Sequence, residues 1–198
     1  KRVDPAVLRG LLGQIVLRDH PGVTICYDVR PGKITADLIR EAGGKPSVTR
    51  VGHSLIKEQM RAEGALFGGE SSGHFFYAFP LGTYEGPIVV VKQLLQEITA
   101  RGQKLSEIVE PLASRYAHSG EINFDVQNKT VVIDELKKTF ADGILSELDG
   151  ITITYPDFWF NVRGSNTEPK LRLNLEAEDR ATMEKRRDEI TAIIQGNN

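Results

Sequence analysis

The chain has 198 residues, 40% of them hydrophobic, a formal net charge of −2 and a single cysteine. That length allows one large or two small domains with adequate cores. No basic excess points to nucleic acid, no signal-peptide pattern or long apolar span points to secretion or a membrane, and a lone cysteine excludes an internal disulfide and fits a reducing cytoplasm.

Asp4-Pro5 reads as a helix cap followed by a first-turn proline. Val7, Leu8, Leu11, Leu12, Ile15 and Val16 then recur at helical spacing. Residues 23–29 form a strand, residues 34–42 a helix closed by Gly43-Gly44, residues 47–51 a strand, residues 54–62 a helix ended by Gly64, and residues 65–67 a short strand. Cys26 lies in the first of these strands and reads as a small buried hydrophobe in preference to a reactive thiol. Strand alternating with helix implies right-handed crossovers and a parallel sheet between helices. Ligands of such sheets gather at the carboxyl ends of the strands, so Arg30, His53 and Glu70, each just after a strand, are expected on one rim. Residues 75–79 form an aromatic strand. Residues 85–101 read as a long helix whose Ile88, Val91, Leu94, Leu95 and Ile98 make an apolar stripe, expected to be core.

Residues 106–120 read as a short helix and then a polar linker, which puts a domain boundary after residue 112. Residues 121–127, 151–155, 158–162 and 171–177 form strands, residues 132–141 a helix stopped by Asp142-Gly143, and Asp179 caps a last helix to about residue 194. The fold class is therefore α/β: a parallel three-layer α/β/α sheet domain over residues 1–112, then a smaller α+β domain with an antiparallel sheet over residues 113–198. Alternation in residues 170–177 predicts one wet sheet face. The run Glu184-Lys185-Arg186-Arg187-Asp188-Glu189 reads as a solvated helix face, not a nucleic-acid patch. Trp159 reads as core or domain-interface packing, with sugar stacking as the other reading. His and Cys never fall at zinc-ligand spacing, so no metal ligand is expected.

Two loops carry the functional signal. Arg163-Gly164-Ser165-Asn166-Thr167-Glu168-Pro169 joins two strands. Arg163 offers two parallel charged hydrogen bonds, Ser165, Asn166 and Thr167 add neutral donors, and Gly164 leaves the backbone open, a make-up that suits a phosphate. The plainer reading is a polar turn bonding its own backbone. Gly68-Gly69-Glu70-Ser71-Ser72-Gly73-His74 bends sharply on three glycines that would let a ligand near the backbone. Glu70 accepts from vicinal sugar hydroxyls, Ser72 donates and accepts, and His74 donates a proton or contacts phosphate.

The Gly-Glu-Ser-Ser-Gly-His segment followed by Arg-Gly-Ser-Asn-Thr-Glu-Pro resembles the α-D-phosphohexomutase family, in its phosphomannomutase/phosphoglucomutase branch. Val51-Gly52-His53-Ser54-Leu55-Ile56-Lys57 and Tyr27-Asp28-Val29-Arg30 are similar to family segments in the same order. The resemblance covers nearly the whole chain but only the last two of the family's four domains. It implies intramolecular phosphoryl exchange between hexose 1- and 6-phosphates through a phosphoserine, with Mg2+ and a hexose bisphosphate activator. By the same resemblance Glu70, Ser72, His74, His53 and Arg30 contact the sugar, and Arg163, Gly164, Ser165, Asn166 and Thr167 hold the distal phosphate. The family's phosphoserine and aspartate metal loops have no counterpart in this sequence. No catalytic residue and no metal site are therefore expected here, and the chain, which starts at Lys1, reads as the inactive C-terminal half of a cytoplasmic mutase that needs its N-terminal domains. Asn166 favours the mannose/glucose branch, since phosphoglucosamine mutases carry Ser-Gly-Thr there and Gln where this chain has Ser71. A non-catalytic phosphosugar-binding module is the reading from a different class. No nucleic-acid or membrane partner is implied.

Overall fold

The computed structural model describes residues 3–30, 32–165 and 169–196. Asn166 and Thr167 of the expected phosphate loop lie outside the described residues. The chain divides into two compact units, Lys1–Arg115 and Tyr116–Asn198.

In the first unit Asp4 caps α1 (Pro5–Asp19), its carboxylate accepting from the Ala6 N–H at 2.7 Å. Then follow β1 (Thr24–Asp28), α2 (Lys33–Glu41), β2 (Lys45–Thr49), α3 (His53–Glu63), β3 (Phe67–Gly69), β4 (Phe75–Phe79), β5 (Gly82–Glu85), α4 (Pro87–Arg101) and α5 (Leu105–Ala113). The strand β1 pairs in parallel with both β2 and β3. The β4–β5 hairpin extends this sheet antiparallel, in the order β2-β1-β3-β4-β5. One side of the sheet is covered by α1, which packs on α2, α4 and α5; α3 packs against β1 and β3. Cys26 clusters with Ile56 and Met60 of α3. Burial first, and Glu63 next, push its thiol up to about 12, so it stays protonated and acts as packing.

Two expectations for this unit are corrected. Glu85 ends a strand and does not begin a helix; α4 starts at Pro87, whose missing N–H suits the first turn. The apolar stripe of α4 is core only in part. Ile88 is 83% exposed and Val91 and Leu95 are more than half exposed, whereas Leu94 and Ile98 are half-buried and the buried residues are Val90 and Glu97. Glu97 is buried because Arg18 of α1 and Arg101 both donate to its carboxylate. The inward side of α4 thus sets Glu97 among Val90, Leu94 and Ile98, while Ile88, Val91 and Leu95 face out.

The second unit holds β6 (Ala117–His118), β7 (Ile122–Asp125), α6 (Lys129–Thr139), β8 (Ile144–Ser146), β9 (Ile151–Thr154), β10 (Phe158–Gly164), β11 (Lys170–Ala177) and α7 (Arg180–Gly196). The sheet is antiparallel throughout, in the order β6-β11-β10-β9-β8, with β7 also on β11. Residues 117–118, expected as linker, thus pair with β11, and the units divide after Arg115 because α5 runs on to Ala113. Asn128 starts α6 early, its side chain accepting from the Val131 N–H. Phe158, Phe160, Val162, Leu171, Leu173 and Leu175 pack with Val132, Leu136, Ile190 and Ile194. The opposite sheet face sets Trp159, Asn161 and Arg163 against Glu176, Asn174 and Arg172. This face was expected to be wet, yet Asn161, Asn174 and Glu176 are buried. Trp159 is buried too, its indole N–H donating to Glu176 Oε2 at 2.7 Å, as a buried tryptophan's N–H must find an acceptor. On α7 the mixed charges pair, Arg186 with Glu189 at 2.8 Å.

The orientation of α4 gives a direct check. Ile88→Ser should change the unfolding free energy of the chain by less than about 0.5 kcal/mol, as for an ordinary surface site. Ile56→Ala, under the sheet, should cost about 2–5 kcal/mol. Urea unfolding of both variants measures the contrast.

Candidate functional site

The parallel strands β1, β2 and β3 end on one edge of the first unit, and the residues after them meet there. Asp28, the last residue of β1, is wholly buried, as is Arg9 of α1. Arg9 Nη1 donates to Asp28 Oδ1 at 2.8 Å and to the Gly69 carbonyl at 3.3 Å; its Nη2 donates to the Arg30 carbonyl at 3.2 Å and its Nε to Thr35 Oγ1 at 3.0 Å. Arg30 turns back onto Asp28, with Nη2 2.7 Å from Oδ2. Ser71 donates to the same carboxylate from its N–H at 3.1 Å and from its hydroxyl at 2.8 Å. One carboxylate thus ties the end of β1 to the loop after β3. Burial alone would raise its pKa, but the guanidinium groups of Arg9 and Arg30 and the bonds from Arg30 and Ser71 together hold it below the usual carboxylate range.

Glu70 is only 4% exposed. Its Oε1 accepts from the Gly52 N–H at 3.2 Å, which joins the loop after β3 to the loop after β2. The Glu70 N–H donates to the His74 carbonyl and the Gly73 N–H to the Glu70 carbonyl, closing a tight turn. Gly73, at φ +93°, is the residue whose backbone demands glycine. The other two glycines, expected in the bending loop, are instead the last residues of β3, paired with Phe76 and Phe75, and they answer to packing: a Cβ on Gly68 would lie 2.6 Å from Met60 Sδ, and one on Gly69 2.7 Å from Arg9 Cγ. Ser72 is exposed on the turn.

His53 begins α3 and His74 ends the turn. Both are about half exposed, with ring centroids 5.5 Å apart and nearly perpendicular. Between them lies Glu85, which the sequence reading missed by placing it in a helix. Its Oε1 is 2.8 Å from His74 Nδ1 and its Oε2 3.4 Å from His53 Nε2. A carboxylate only accepts, so Nδ1 of His74 carries the proton. That hydrogen bond, more than the bond and charge of His53, holds Glu85 below its usual range. The structure therefore gathers Arg30, His53, Glu70, Ser72 and His74 around the ends of β1–β3.

In the second unit Arg163 and Gly164 end β10. Arg163 is buried, 7% exposed, and its Nη2 donates to Glu121 Oε2 at 3.2 Å. Asn174 donates to the same oxygen at 3.3 Å and Arg172 approaches the other at 3.7 Å. Among the described residues Arg163 Nε is buried without a hydrogen-bond partner. Ser165 continues the ladder, its N–H donating to the Lys170 carbonyl at 2.8 Å. Lys129, at the start of α6, donates to the Ser165 carbonyl at 3.1 Å, a cation at the loop that sequence reasoning did not single out.

A family model for the α/β/α domain III of phosphoglucomutase/phosphomannomutase matches residues 6–116, and one for the C-terminal domain of the same family matches residues 121–193. The chain belongs to the phosphoglucomutase/phosphomannomutase family. A phosphomannomutase of Methanocaldococcus jannaschii is 40% identical over 188 residues, covering 95% of this chain and 41% of that protein. The solved structure of a phosphoglucomutase/phosphomannomutase family protein of Burkholderia thailandensis superposes with a TM-score of 0.82 at 30% identity, over 100% of this chain and 42% of that one. An Aspergillus fumigatus N-acetylphosphoglucosamine mutase, solved with GlcNAc-6P and magnesium, shares the fold at a TM-score of 0.65 and 12% identity, over 98% of this chain and 44% of that one. The chain thus spans less than half the length of each of these proteins. Among the described residues no helix is long and apolar enough to cross a membrane.

The buried carboxylate at the centre of the rim makes a testable demand. Asp28→Asn leaves Arg9 charged and buried with a neutral partner, and should cost about 3–5 kcal/mol. Because the pKa of Asp28 is depressed by folding, its contribution is fully present above the unfolded value near pH 4 and is lost as pH falls through the lower folded value. Urea unfolding of the chain and the variant from pH 7 down to pH 3 should show the gap between them narrow below about pH 4.

Proposed function

We propose that this chain is the phosphosugar-positioning half of a phosphohexomutase that interconverts the 1- and 6-phosphates of mannose and glucose. The observation that carries the reading is the convergence of Glu70, Ser72, His74, His53 and Arg30 at the carboxyl ends of three parallel strands, in a chain of this family. Glu70 and Ser72 take sugar hydroxyls, with His53 and His74 at the opening. Arg30 acts at one remove, since its guanidinium is committed to Asp28. In the second unit Arg163, Gly164, Ser165, Asn166 and Thr167 hold the phosphate that is not reacting, with Lys129 adding positive charge at the loop's base.

Such a division fits the physics of the reaction. Phosphoryl transfer is catalysed mostly by positioning and by stabilising charge. A substrate that must be held either way up needs one set of groups for hydroxyls and another for the distant phosphate. The transferring group belongs to the remainder of the longer protein, which is also this chain's partner, and a hexose bisphosphate is the intermediate that turns around. Magnesium takes oxygen ligands. The group of three metal-capable side chains found among the described residues has two imidazoles and one carboxylate, which does not suit that ion. We therefore assign the magnesium site to the rest of the protein, and take the whole enzyme as cytoplasmic.

The test uses the chain and its longer parent side by side. Given glucose 1-phosphate, magnesium and the bisphosphate activator, the chain alone should form no 6-phosphate, while the parent turns over. Glu70→Gln in the parent keeps the acceptor for Gly52 but loses a charge-assisted acceptor for hydroxyls. The kcat/KM should fall by one to two orders of magnitude, roughly 1.4–3 kcal/mol, with little change in Tm. Turnover by the repurified chain, or a core-sized loss of stability in Glu70→Gln, would overturn these assignments.

Arg163 separates phosphate binding from packing. Arg163→Ala should weaken binding of a hexose phosphate and, since the side chain is buried against Glu121, also cost about 1–3 kcal/mol of stability. Arg163→Lys keeps the charge but not the planar fork, and should lose less of both. Calorimetric titration with unfolding curves for all three proteins measures this; equal phosphosugar affinity across them would remove Arg163 from the site.

A further inference from the structure

His53, His74 and Glu85 come from three different elements: the first turn of α3, the end of the turn before β4 and the end of β5. Each offers one ligand atom, and the three atoms lie within 4.8 Å of one another. We propose that they form a binding site for a borderline divalent transition ion of the zinc or cobalt(II) class. Its chemistry stands on its own geometry, while its placement beside the sugar rests on the function proposed above.

An ion bound at about 2.0–2.2 Å from each nitrogen and oxygen holds its tetrahedral ligand atoms about 3.4 Å apart. Glu85 Oε1 is 2.8 Å from His74 Nδ1 and Glu85 Oε2 is 3.4 Å from His53 Nε2, so each oxygen of one carboxylate already faces an imidazole. With the three ligand atoms within 4.8 Å of one another, bringing the widest pair to tetrahedral spacing needs a side-chain shift of at most about 1.4 Å, within reach of half-exposed imidazoles by rotation about χ2, which is a broad torsion. The donor set selects the ion. Imidazole suits zinc, copper, nickel and cobalt, and two imidazoles with one carboxylate disfavour magnesium and calcium, which take oxygen ligands. Three protein ligands leave a fourth position for water or for a ligand hydroxyl.

The backbones that carry the donors are fixed without an ion. Glu85 is paired with Phe76 across the β4–β5 hairpin. The His53 ring meets the Phe76 ring edge-on at 4.6 Å. The turn before His74 is closed by the two backbone bonds between Glu70, Gly73 and His74. A site on such elements loses little ordering entropy when it binds. An ion there would engage the two imidazoles that the proposed function aims at the sugar, so zinc should compete with the hexose phosphate.

Cobalt(II) titration of the tag-free chain, followed by its visible absorption, tests the site. One equivalent should give the intense bands of a low-coordinate nitrogen–oxygen site. His53→Ala and His74→Ala should abolish them, and Glu85→Gln should weaken binding at least about tenfold, with circular dichroism and Tm unchanged because all three side chains are at the surface. Featureless octahedral cobalt, or equal binding by chain and variants, would overturn the proposal. In calorimetric titration of the chain, which lacks the magnesium site assigned to the parent, one equivalent of zinc should weaken binding of the hexose phosphate. If the cobalt bands behave as expected and zinc does not compete, the metal site stands and the sugar contacts assigned to His53 and His74 fall.

Discussion

The buried pair Arg9–Asp28 is the constraint on which the rim of the first unit depends. Both side chains are at 0% exposure. Two charges taken out of water cost more than their mutual attraction returns unless the remaining donors and acceptors are also used. Here they are. Asp28 accepts from Arg9, Arg30 and twice from Ser71, and Arg9 also donates to Thr35 and to two carbonyls, those of Arg30 and Gly69. Those partners belong to α1, α2, the segment after β1, and β3 with its loop. Helix, strand and loop are therefore placed relative to one another by one saturated network, and the loop that holds Glu70 inherits that placement.

The second unit solves a related problem with another carboxylate. Glu121 accepts from Arg163 and Asn174 and pairs with Arg172. Three side chains from two neighbouring strands thus converge on one anion on the sheet face away from the core. That face also holds buried polar atoms without partners among the described residues: Arg163 Nε, Arg172 Nε and the Asn161 Oδ1 acceptor. A buried guanidinium N–H left unpaired is costly, and an anion is the group that would relieve it. The unit is held together by an apolar core on one side and keeps a buried polar face, with two unpaired guanidinium N–H groups, on the other.

Sequence pattern made most of this architecture legible, for identifiable reasons. Alternating strands and helices with glycine stops gave β1, α2, β2, α3 and β3 and so the shared rim, because periodicity and topology rules act over many residues at once. The misses were local. The strands β5, β6 and β8 are two to four residues long, too short to show a period of two. The α4 stripe looked like core throughout because hydrophobic spacing reports an apolar face without saying how far round it is covered; the buried Glu97 is paired with its helix neighbour Arg101 and with Arg18, which is far away in sequence. Arg9 gave no signal at all. A lone arginine among apolar helix positions looks like a solvated residue until a strand delivers Asp28 to it. Glu85 was hidden by the reading of residues 85–101 as one helix with Gly86-Pro87 in its first turn, and with it went the link between His53 and His74.

The glycines at the end of β3 and in the loop after it make a last point about cause. A Gly-Gly-x-x-x-Gly run invites the view that a ligand needs access to the backbone. Two of the three glycines are instead required from beneath, by Met60 and by the aliphatic stem of Arg9, and only Gly73 is required by its own backbone angle. The loop's path is thus set by the saturated network under it and by one left-handed turn, before any ligand arrives. A site shaped from below in this way does not have to be ordered at the moment of binding, so more of the interaction energy with a ligand is left to appear as affinity. It also leaves Glu70, anchored to Gly52, fixed at the base of the turn, with Ser72 and His74 exposed above it.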